Sequence, residues 1–317
     1  MRAVLIEEFG GPDVLQVAEV PEPQPGDGEV LIEVSRAGVN FADTHTREDS
    51  YVARYGLPLI PGNEVVGTTG DGRRVVAMLS GTGGYAERAV APEHTVFEVP
   101  EGLEEGAALA LLIQGLTAWH LLRTSAHLRE GESVVVHSAS GGTGGMALQL
   151  ARIFGAGRVI ASASSAEKRE RALEAGADAV VDGGARDLTA ALLEANGGEP
   201  VDVVLEMSGG PVFDQSLEAL APFGRLVIYG VASREQVEVR QGRLMKHSRA
   251  VVGFWLGHCL GRRDMMAGPL AELFALAAAR RLEPAVGETY ALSDVRRLHE
   301  DLQARRTSGK LLVDPSR

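Results

Sequence analysis

Residues 139–145 read Ala-Ser-Gly-Gly-Thr-Gly-Gly, a run of small side chains that leaves the backbone amides open to an anion. The apolar stretch Val134 to Ser138 precedes it, and MALQLARIFG follows, closing on Gly155 where a helix C-cap belongs. A strand, a tight turn and a helix in that order aim the unpaired amides of the helix start into the turn, and those amides favour phosphate. Gly141 is predicted to let the main chain approach a pyrophosphate and Gly144 to let the helix pack close to the strand, with Ser140, Gly142 and Thr143 completing the cradle. Ala139 stands where the first glycine of the usual G-x-G-x-x-G would be. The segment Val134 to Gly155 is therefore read as the pyrophosphate site of a nicotinamide dinucleotide.

The end of the next strand selects the dinucleotide. It reads Ala161-Ser162-Ala163-Ser164-Ser165, without the carboxylate that would hold a ribose 2′-hydroxyl, and Lys168, Arg169 and Arg171 follow. Hydroxyls and cations at a helix start suit a 2′-phosphate, so NADPH is expected over NADH. The competing reading makes these cations a solvated helix face, with Glu167 diluting their charge.

The elements that must position these residues fall into two textures. From Met1 to about Leu112 the chain is broken by Gly and Pro, with short alternating runs such as Val30 to Val34 and Arg73 to Met78, the pattern of a mostly-β domain. From Gly131 to about Leu256 strands and helices alternate. The strands are expected at Ser133 to Ser138, Arg158 to Ala163, Ala179 to Val181, Val201 to Glu206, Arg225 to Tyr229 and Ala250 to Leu256. The helices are expected at Thr143 to Phe154, Ala166 to Ala175, Asp187 to Ala195 and Pro211 to Leu220. That is a doubly wound parallel sheet. Two further helices, Leu270 to Arg281 and Ser293 to Arg305, lead to a last strand, Lys310 to Val313. A lone terminal strand needs a sheet to join, and its expected return to the first domain makes the dinucleotide domain an insertion. The predicted fold class is α/β, with domains at 1–114 plus 258–317 and at 115–257.

Six motifs occur in order along the chain: GGPDVL (Gly10 to Leu15), GVNFADTH (Gly38 to His45), PGNEVVG (Pro61 to Gly67), GLTAWHLL (Gly115 to Leu122), HSASGGTGG (His137 to Gly145) and SGKLLV (Ser308 to Val313). Together they resemble the zinc-free medium-chain reductases of the quinone oxidoreductase type, relatives of zeta-crystallin. The resemblance spans essentially the whole chain. It implies a GroES-like N-terminal domain with an inserted Rossmann domain, NADPH as cofactor, and a homodimer formed by pairing Rossmann sheet edges.

Zinc-dependent relatives of that fold polarise their alcohol with a metal, and their catalytic cysteine position corresponds to Asn40. Their glycine-histidine-glutamate motif reads Gly62-Asn63-Glu64 here. The only cysteine, Cys259, lies late in the chain, so no metal site is expected. Hydride delivery to an electron-poor conjugated carbonyl needs orientation and a donor for the developing oxyanion rather than a Lewis acid, so reduction is the expected direction. The resemblance makes Asn40 the active-site asparagine, its amide hydrogen-bonding either the substrate carbonyl or the cofactor ribose. It puts His45 where the family often has tyrosine, either a proton donor or a space-filling ring; Tyr51, in the polar loop that follows, is read as a cap over the substrate pocket. The resemblance assigns Thr117 to the nicotinamide end, Ser164 and Lys168 to the 2′-phosphate, and Tyr229, Gly230, Val231, Phe254, Trp255 and Leu256 to the adenine ribose and nicotinamide. Gly183 stands where many relatives have a tyrosine, with Arg186 nearby. For Phe254 and Trp255 core packing is the rival account. Lys310, placed with the cofactor contacts, is equally read as an edge-strand charge. Asp43 and Glu64 are expected to fix loops, although the resemblance sets Glu64 under the site, and the charged stretch Arg47 to Arg54 is read as an open or mobile lid.

Composition bounds the rest. A formal charge of −12, from 31 Lys and Arg against 43 Asp and Glu, argues against nucleic acid. One cysteine in 317 residues suits a reducing compartment, so a cytoplasmic protein is expected. No window is read as approaching the roughly 18 apolar residues of a spanning helix, so no membrane partner is expected. Three functions compete: a reductase of quinones or other α,β-unsaturated carbonyls, an enoyl-thioester reductase on the same scaffold, and a non-catalytic NADPH-binding protein of crystallin-like or RNA-binding type.

Overall fold

Residues 1–317 are all described by the structure, a computed structural model. The chain opens with β1 (Arg2–Leu5) and β2 (Gln16–Glu19), an antiparallel pair. Then come β3 (Glu29–Val39), α1 (Phe41–Arg47), β4 (Glu64–Thr69), β5 (Arg74–Met78), β6 (Arg88–Pro92) and β7 (Val96–Glu98). One helical rod follows, Glu105–Ser125, made of α2 (Glu105–Ala110) and α3 (Leu116–His120) with a π-turn after each.

Next are β8 (Ser133–Val136), α4 (Gly142–Ile153), β9 (Arg158–Ala163), α5 (Ala166–Glu174), β10 (Ala179–Asp182), α6 (Leu188–Ala195) and β11 (Val201–Glu206). The series continues with α7 (Gly210–Ala219), β12 (Leu220–Ile228), α8 (Gln241–Met245) and β13 (Ala250–Gly253). The chain ends with α9 (Arg263–Ala278), β14 (Val286–Ala291), α10 (Val295–Gln303) and β15 (Lys310–Asp314). Two units result: Met1–Ile113 with Cys259–Arg317, and Gln114–His258.

The first unit wraps a seven-stranded sheet, order β14-β15-β3-β4-β5-β7 with β6 also on β3, around a core that includes Val4, Ile32, Val65, Tyr85, Tyr290 and Leu298. The terminal strand joins this sheet as expected. β15 lies between β14, parallel, and β3, antiparallel, so it is an inner strand. The edge-strand account of Lys310 is thereby overturned: its side chain is completely buried.

The second unit is a six-stranded parallel sheet in the order β10-β9-β8-β11-β12-β13, the Rossmann arrangement, in which the strand order reverses between β8 and β11. Its central strands β8, β9 and β11, rich in Val, Ile and Ala, are buried on both faces, as inner parallel strands are.

Four expectations need correction. The rod 105–125 begins inside the stretch expected to be mostly β, because AALALLIQGL is apolar all round and carries no one-sided stripe. By length and composition it could cross a membrane, contrary to the window reading; 67% of its apolar window is buried inside the protein. The helix expected at Leu270 to Arg281 starts earlier: α9 begins at Arg263 and carries Pro269 within it. The expected strand Ala250 to Leu256 stops at Gly253, and Leu256–Cys259 form a 3₁₀ turn.

Candidate active site

In the second unit the turn after β8 is shaped by its glycines. Ser138 adopts a left-handed φ of 51°, turning the chain, and the Gly141 amide donates to the Ser138 carbonyl at 2.9 Å. A Cβ on Gly144 would lie 2.4 Å from that carbonyl oxygen and 2.9 Å from Ala139 Cα, so only glycine lets α4 sit this close to the turn. A Cβ on Gly142 would lie 2.0 Å from Gln114 Oε1. Gly141 differs: its φ is −78°, and only Ser138 O comes near an added Cβ, at 3.2 Å.

No side chain caps the start of α4, which leaves its first-turn amides for an anion, with Ser140 and Thr143 partly exposed beside them. Gln114, which carries no signal in the local sequence, is buried against this turn, and its Oε1 has no hydrogen-bond partner. A buried acceptor at the lip of an amide cradle is a group that a bound ligand can satisfy. These residues fit a dinucleotide pyrophosphate.

The other candidates of this unit follow the carboxyl ends of the parallel strands, where ligands of such sheets bind. Ser164 is exposed just after β9, and Ser165 caps α5 by accepting from the Lys168 amide at 3.3 Å. Arg169 is engaged by Asp182 and the Ala163 carbonyl, and Arg171 by Glu167. Lys168, in the first turn of α5, is partly buried. At Gly183 an added Cβ would lie 2.9 Å from Ser162 Oγ, so a larger side chain would need that hydroxyl to move.

Tyr229, Gly230 and Val231 leave the end of β12, and the Tyr229 amide donates to the Glu206 carbonyl at 3.0 Å. Glu206 itself was missed. Its buried carboxylate accepts from Ser208 and Gly209 amides, and burial raises its pKa. Phe254 stacks on the buried His120 ring with centroids 5.5 Å apart, which brings the segment after β13 next to the helix that carries Thr117. Trp255 is 36% exposed with its ring edge-on to His258, and Leu256 is buried.

In the first unit a polar cluster gathers at the junction of β15, β3 and β4. The register Leu311 to Val39 and Ala37 to Val65, carried one residue further, sets Lys310 opposite Asn40 and Glu64 opposite Gly38. Alternation of side chains puts all four on one face. Gly38 makes room: a Cβ there would lie 2.7 Å from the Glu64 carboxyl carbon. Lys310 Nζ donates to Glu64 Oε1, to Asn40 Oδ1 at 3.2 Å and to the Val39 carbonyl at 3.2 Å. Asn40 Nδ2 donates to Glu64 Oε1 at 2.6 Å.

Asn40 is also the N-cap of α1, and its side chain bonds Glu64 and Lys310. The Asp43 carboxylate accepts from the Asn40 amide at 2.9 Å and from the Tyr85 hydroxyl at 2.9 Å. Burial drives the Asp43 pKa up to about 6 against those two hydrogen bonds and the nearby Lys310 charge.

His45 lies on α1, partly buried, with Nδ1 3.0 Å from Ser50 Oγ and its ring edge-on to Phe41. Tyr51 follows in the loop after α1, also partly buried. Arg47 corrects the lid reading at one end of the segment. It is wholly buried, donating to the Gly10 carbonyl, His299 Nδ1 and Gln303 Oε1, so the segment is anchored where it begins. Tyr85, His299 and Gln303 had no local signal in the sequence, because what makes them partners is packing across 42 to 256 positions. No three His, Cys, Asp or Glu side chains converge as a metal ion would require.

Comparison with known proteins agrees with both units. The alcohol dehydrogenase GroES-like domain family matches residues 26–101, and the zinc-binding dehydrogenase family matches residues 142–275. The quinone oxidoreductase of Homo sapiens is 32% identical over 99% of this chain and 97% of its own length. That of Pseudomonas aeruginosa is 32% identical over 99% of each. Among solved structures, the quinone oxidoreductase of Thermus thermophilus, also solved with NADPH, superposes with a TM-score of 0.89 at 36% identity, covering 99% of this chain and 100% of that one. The Escherichia coli quinone oxidoreductase complexed with NADPH gives 0.93 at 31% identity, with the same coverage.

Proposed function

Because this chain belongs to the quinone oxidoreductase family of medium-chain dehydrogenases and reductases, we propose that it binds NADPH and reduces a quinone or another α,β-unsaturated carbonyl. The observation that carries this reading is the uncapped amide cradle at Ser140 to Gly144, followed at the end of β9 by Ser164 and Lys168 instead of a carboxylate. The first-turn amides of α4 take the pyrophosphate, and Ser164 and Lys168 take the ribose 2′-phosphate. Thr117, Tyr229, Gly230, Val231, Phe254, Trp255 and Leu256 line the ribose and nicotinamide.

When bound, NADPH supplies the hydride. Asn40 donates through Nδ2 to the carbonyl oxygen, which gains negative charge as hydride arrives at the ring or the β-carbon. His45 supplies the proton that completes the hydroquinone, and Tyr51 covers the substrate. The balance is quinone plus NADPH plus one proton giving hydroquinone and NADP⁺. The outer edge of β13, an end strand with partly buried Val251 and Val252, supports a homodimer by sheet-edge pairing.

The test is NADPH oxidation, followed by absorbance, with 1,4-benzoquinone, 9,10-phenanthrenequinone and crotonyl-CoA. Turnover of the quinones, with NADPH favoured over NADH, is expected. Turnover of crotonyl-CoA alone moves the reading to enoyl-thioester reduction, and no oxidation with any acceptor overturns catalysis.

A further inference from the structure

We infer that Lys310 and Glu64 are positioning residues that orient the Asn40 side-chain amide, so that its nitrogen and not its oxygen is offered to the substrate. This rests on the donor role of Asn40 proposed above. An ammonium can only donate and a carboxylate can only accept, so the contacts Lys310 Nζ to Asn40 Oδ1 and Asn40 Nδ2 to Glu64 Oε1 permit one orientation of the amide. One Nδ2 proton is taken by Glu64. The other has only Asn63 Oδ1 at 3.4 Å, a long contact, and is the proton Asn40 can give to a carbonyl oxygen.

The pair itself is a poor device for stability. Both side chains are 0% exposed, and Glu64 Oε2 has no hydrogen-bond partner. Buried ion pairs generally give back in attraction no more than their desolvation costs, and apolar residues of similar volume serve the fold as well. Strand geometry nevertheless accommodates it at some expense, since Gly38 must lack a side chain for Glu64 to lie there. What the pair does that a methionine pair could not is hold the amide of Asn40. Without it the amide is free to turn by half a rotation and present its oxygen to the substrate oxygen, which repels rather than stabilises developing charge.

Removing both charges together separates this role from a structural one. The double variant Glu64→Met with Lys310→Met leaves no orphaned charge, so the apo-protein is expected to keep a wild-type melting temperature within a few degrees. With 1,4-benzoquinone its kcat is expected to fall by about tenfold to a hundredfold with a smaller change in KM. Adding Asn40→Ala should then cost nothing further, because the two changes disable one donor. Glu64→Gln retains an acceptor for both Lys310 and Asn40 and should keep kcat within about threefold of wild type.

Wild-type kcat in the folded double variant, or a loss that multiplies with that of Asn40→Ala, overturns the inference. A wild-type protein inert toward every acceptor overturns instead the function on which it rests. Where the double variant does not fold, side-chain amide resonances of the wild-type apo-protein decide, Asn40 being assigned by its disappearance in Asn40→Ala. One strongly downfield proton is expected from its bond to a carboxylate, and a pair at ordinary free-amide positions overturns the assignment.

Discussion

The guanidinium of Arg47 lies 3.0 Å from Nδ1 of His299, across 252 residues of sequence, with both side chains wholly buried. Arginine can only donate, so Nδ1 accepts, and the imidazole proton must sit on Nε2. Nε2 has no partner, and the neighbouring Tyr85 ring meets the imidazole edge-on at 6.0 Å. Burial first, and the Arg47 charge second, drive the His299 pKa down to about 3. The residue is a neutral acceptor that ties α10 to the end of α1.

Removing the cation should therefore cost stability more than chemistry. Arg47→Met strands the acceptors on Gly10, His299, Gln303 and Glu48. We expect a loss of about 3–5 kcal/mol, read from the urea midpoint at pH 7. An unchanged midpoint would show that Arg47 does not anchor the segment.

Acid stability follows from His299 together with His137, whose pKa burial lowers to about 4 while Nε2 lies 2.8 Å from Ser216 Oγ. Both folded values lie below the unfolded 6.5, so between those limits the unfolded chain binds the extra protons. Their contribution is complete above about pH 6.5 and is lost as pH falls. His299→Gln, which keeps an acceptor for Arg47, should flatten the fall between pH 6 and 4 by about 1.4 kcal/mol per pH unit. Denaturation series across that range measure it.

Asp43 carries the opposite sign. Its folded value of about 6 exceeds the unfolded 3.8, so the folded state binds the extra proton between them, and stability is lost as pH rises through that window. Asp43→Asn removes this counterweight. The protein's loss of stability from pH 6 to 4 should become steeper by about 1.4 kcal/mol per pH unit, and an unchanged slope would mean that Asp43 is not held protonated.

Two glycines of the turn should separate folding from cofactor binding. Gly144→Ala places a Cβ 2.4 Å from the Ser138 carbonyl and should destabilise by about 1–3 kcal/mol in thermal or chemical denaturation. Gly141→Ala meets only one atom, at 3.2 Å, and its φ of −78° suits alanine. It should fold normally yet raise the NADPH Kd about tenfold, because the methyl stands where the pyrophosphate approaches. Equal effects on both properties from both variants would remove the distinction.

His45→Phe tests the proton donor. The ring volume is nearly kept and the contact with Ser50 is lost. With 1,4-benzoquinone we expect kcat to fall by about a hundredfold. Retained kcat with the same pH profile would take His45 out of the mechanism.

The parts of this protein visible in the sequence are those made by neighbours along the chain. The turn Ala139 to Gly145, its flanking strand and helix, and the missing carboxylate after Ala163 all lie within about thirty residues. There hydrophobic period and glycine placement report geometry directly. The terminal strand was legible as well, since Lys310 to Val313 had no sheet of its own to join. Its register was not.

Only the pairing of β15 with β3, and of β3 with β4, sets Lys310 beside Asn40 and Glu64, partners 270 and 246 positions away. The same holds for Arg47 and His299. Composition marks such residues as polar and therefore exposed, and burial reverses that expectation only where a second charge arrives from a distant strand or helix. Local sequence thus determined the Rossmann sheet and its phosphate turn, while tertiary pairing decided which polar side chains leave water and whose amide or ring they hold in place.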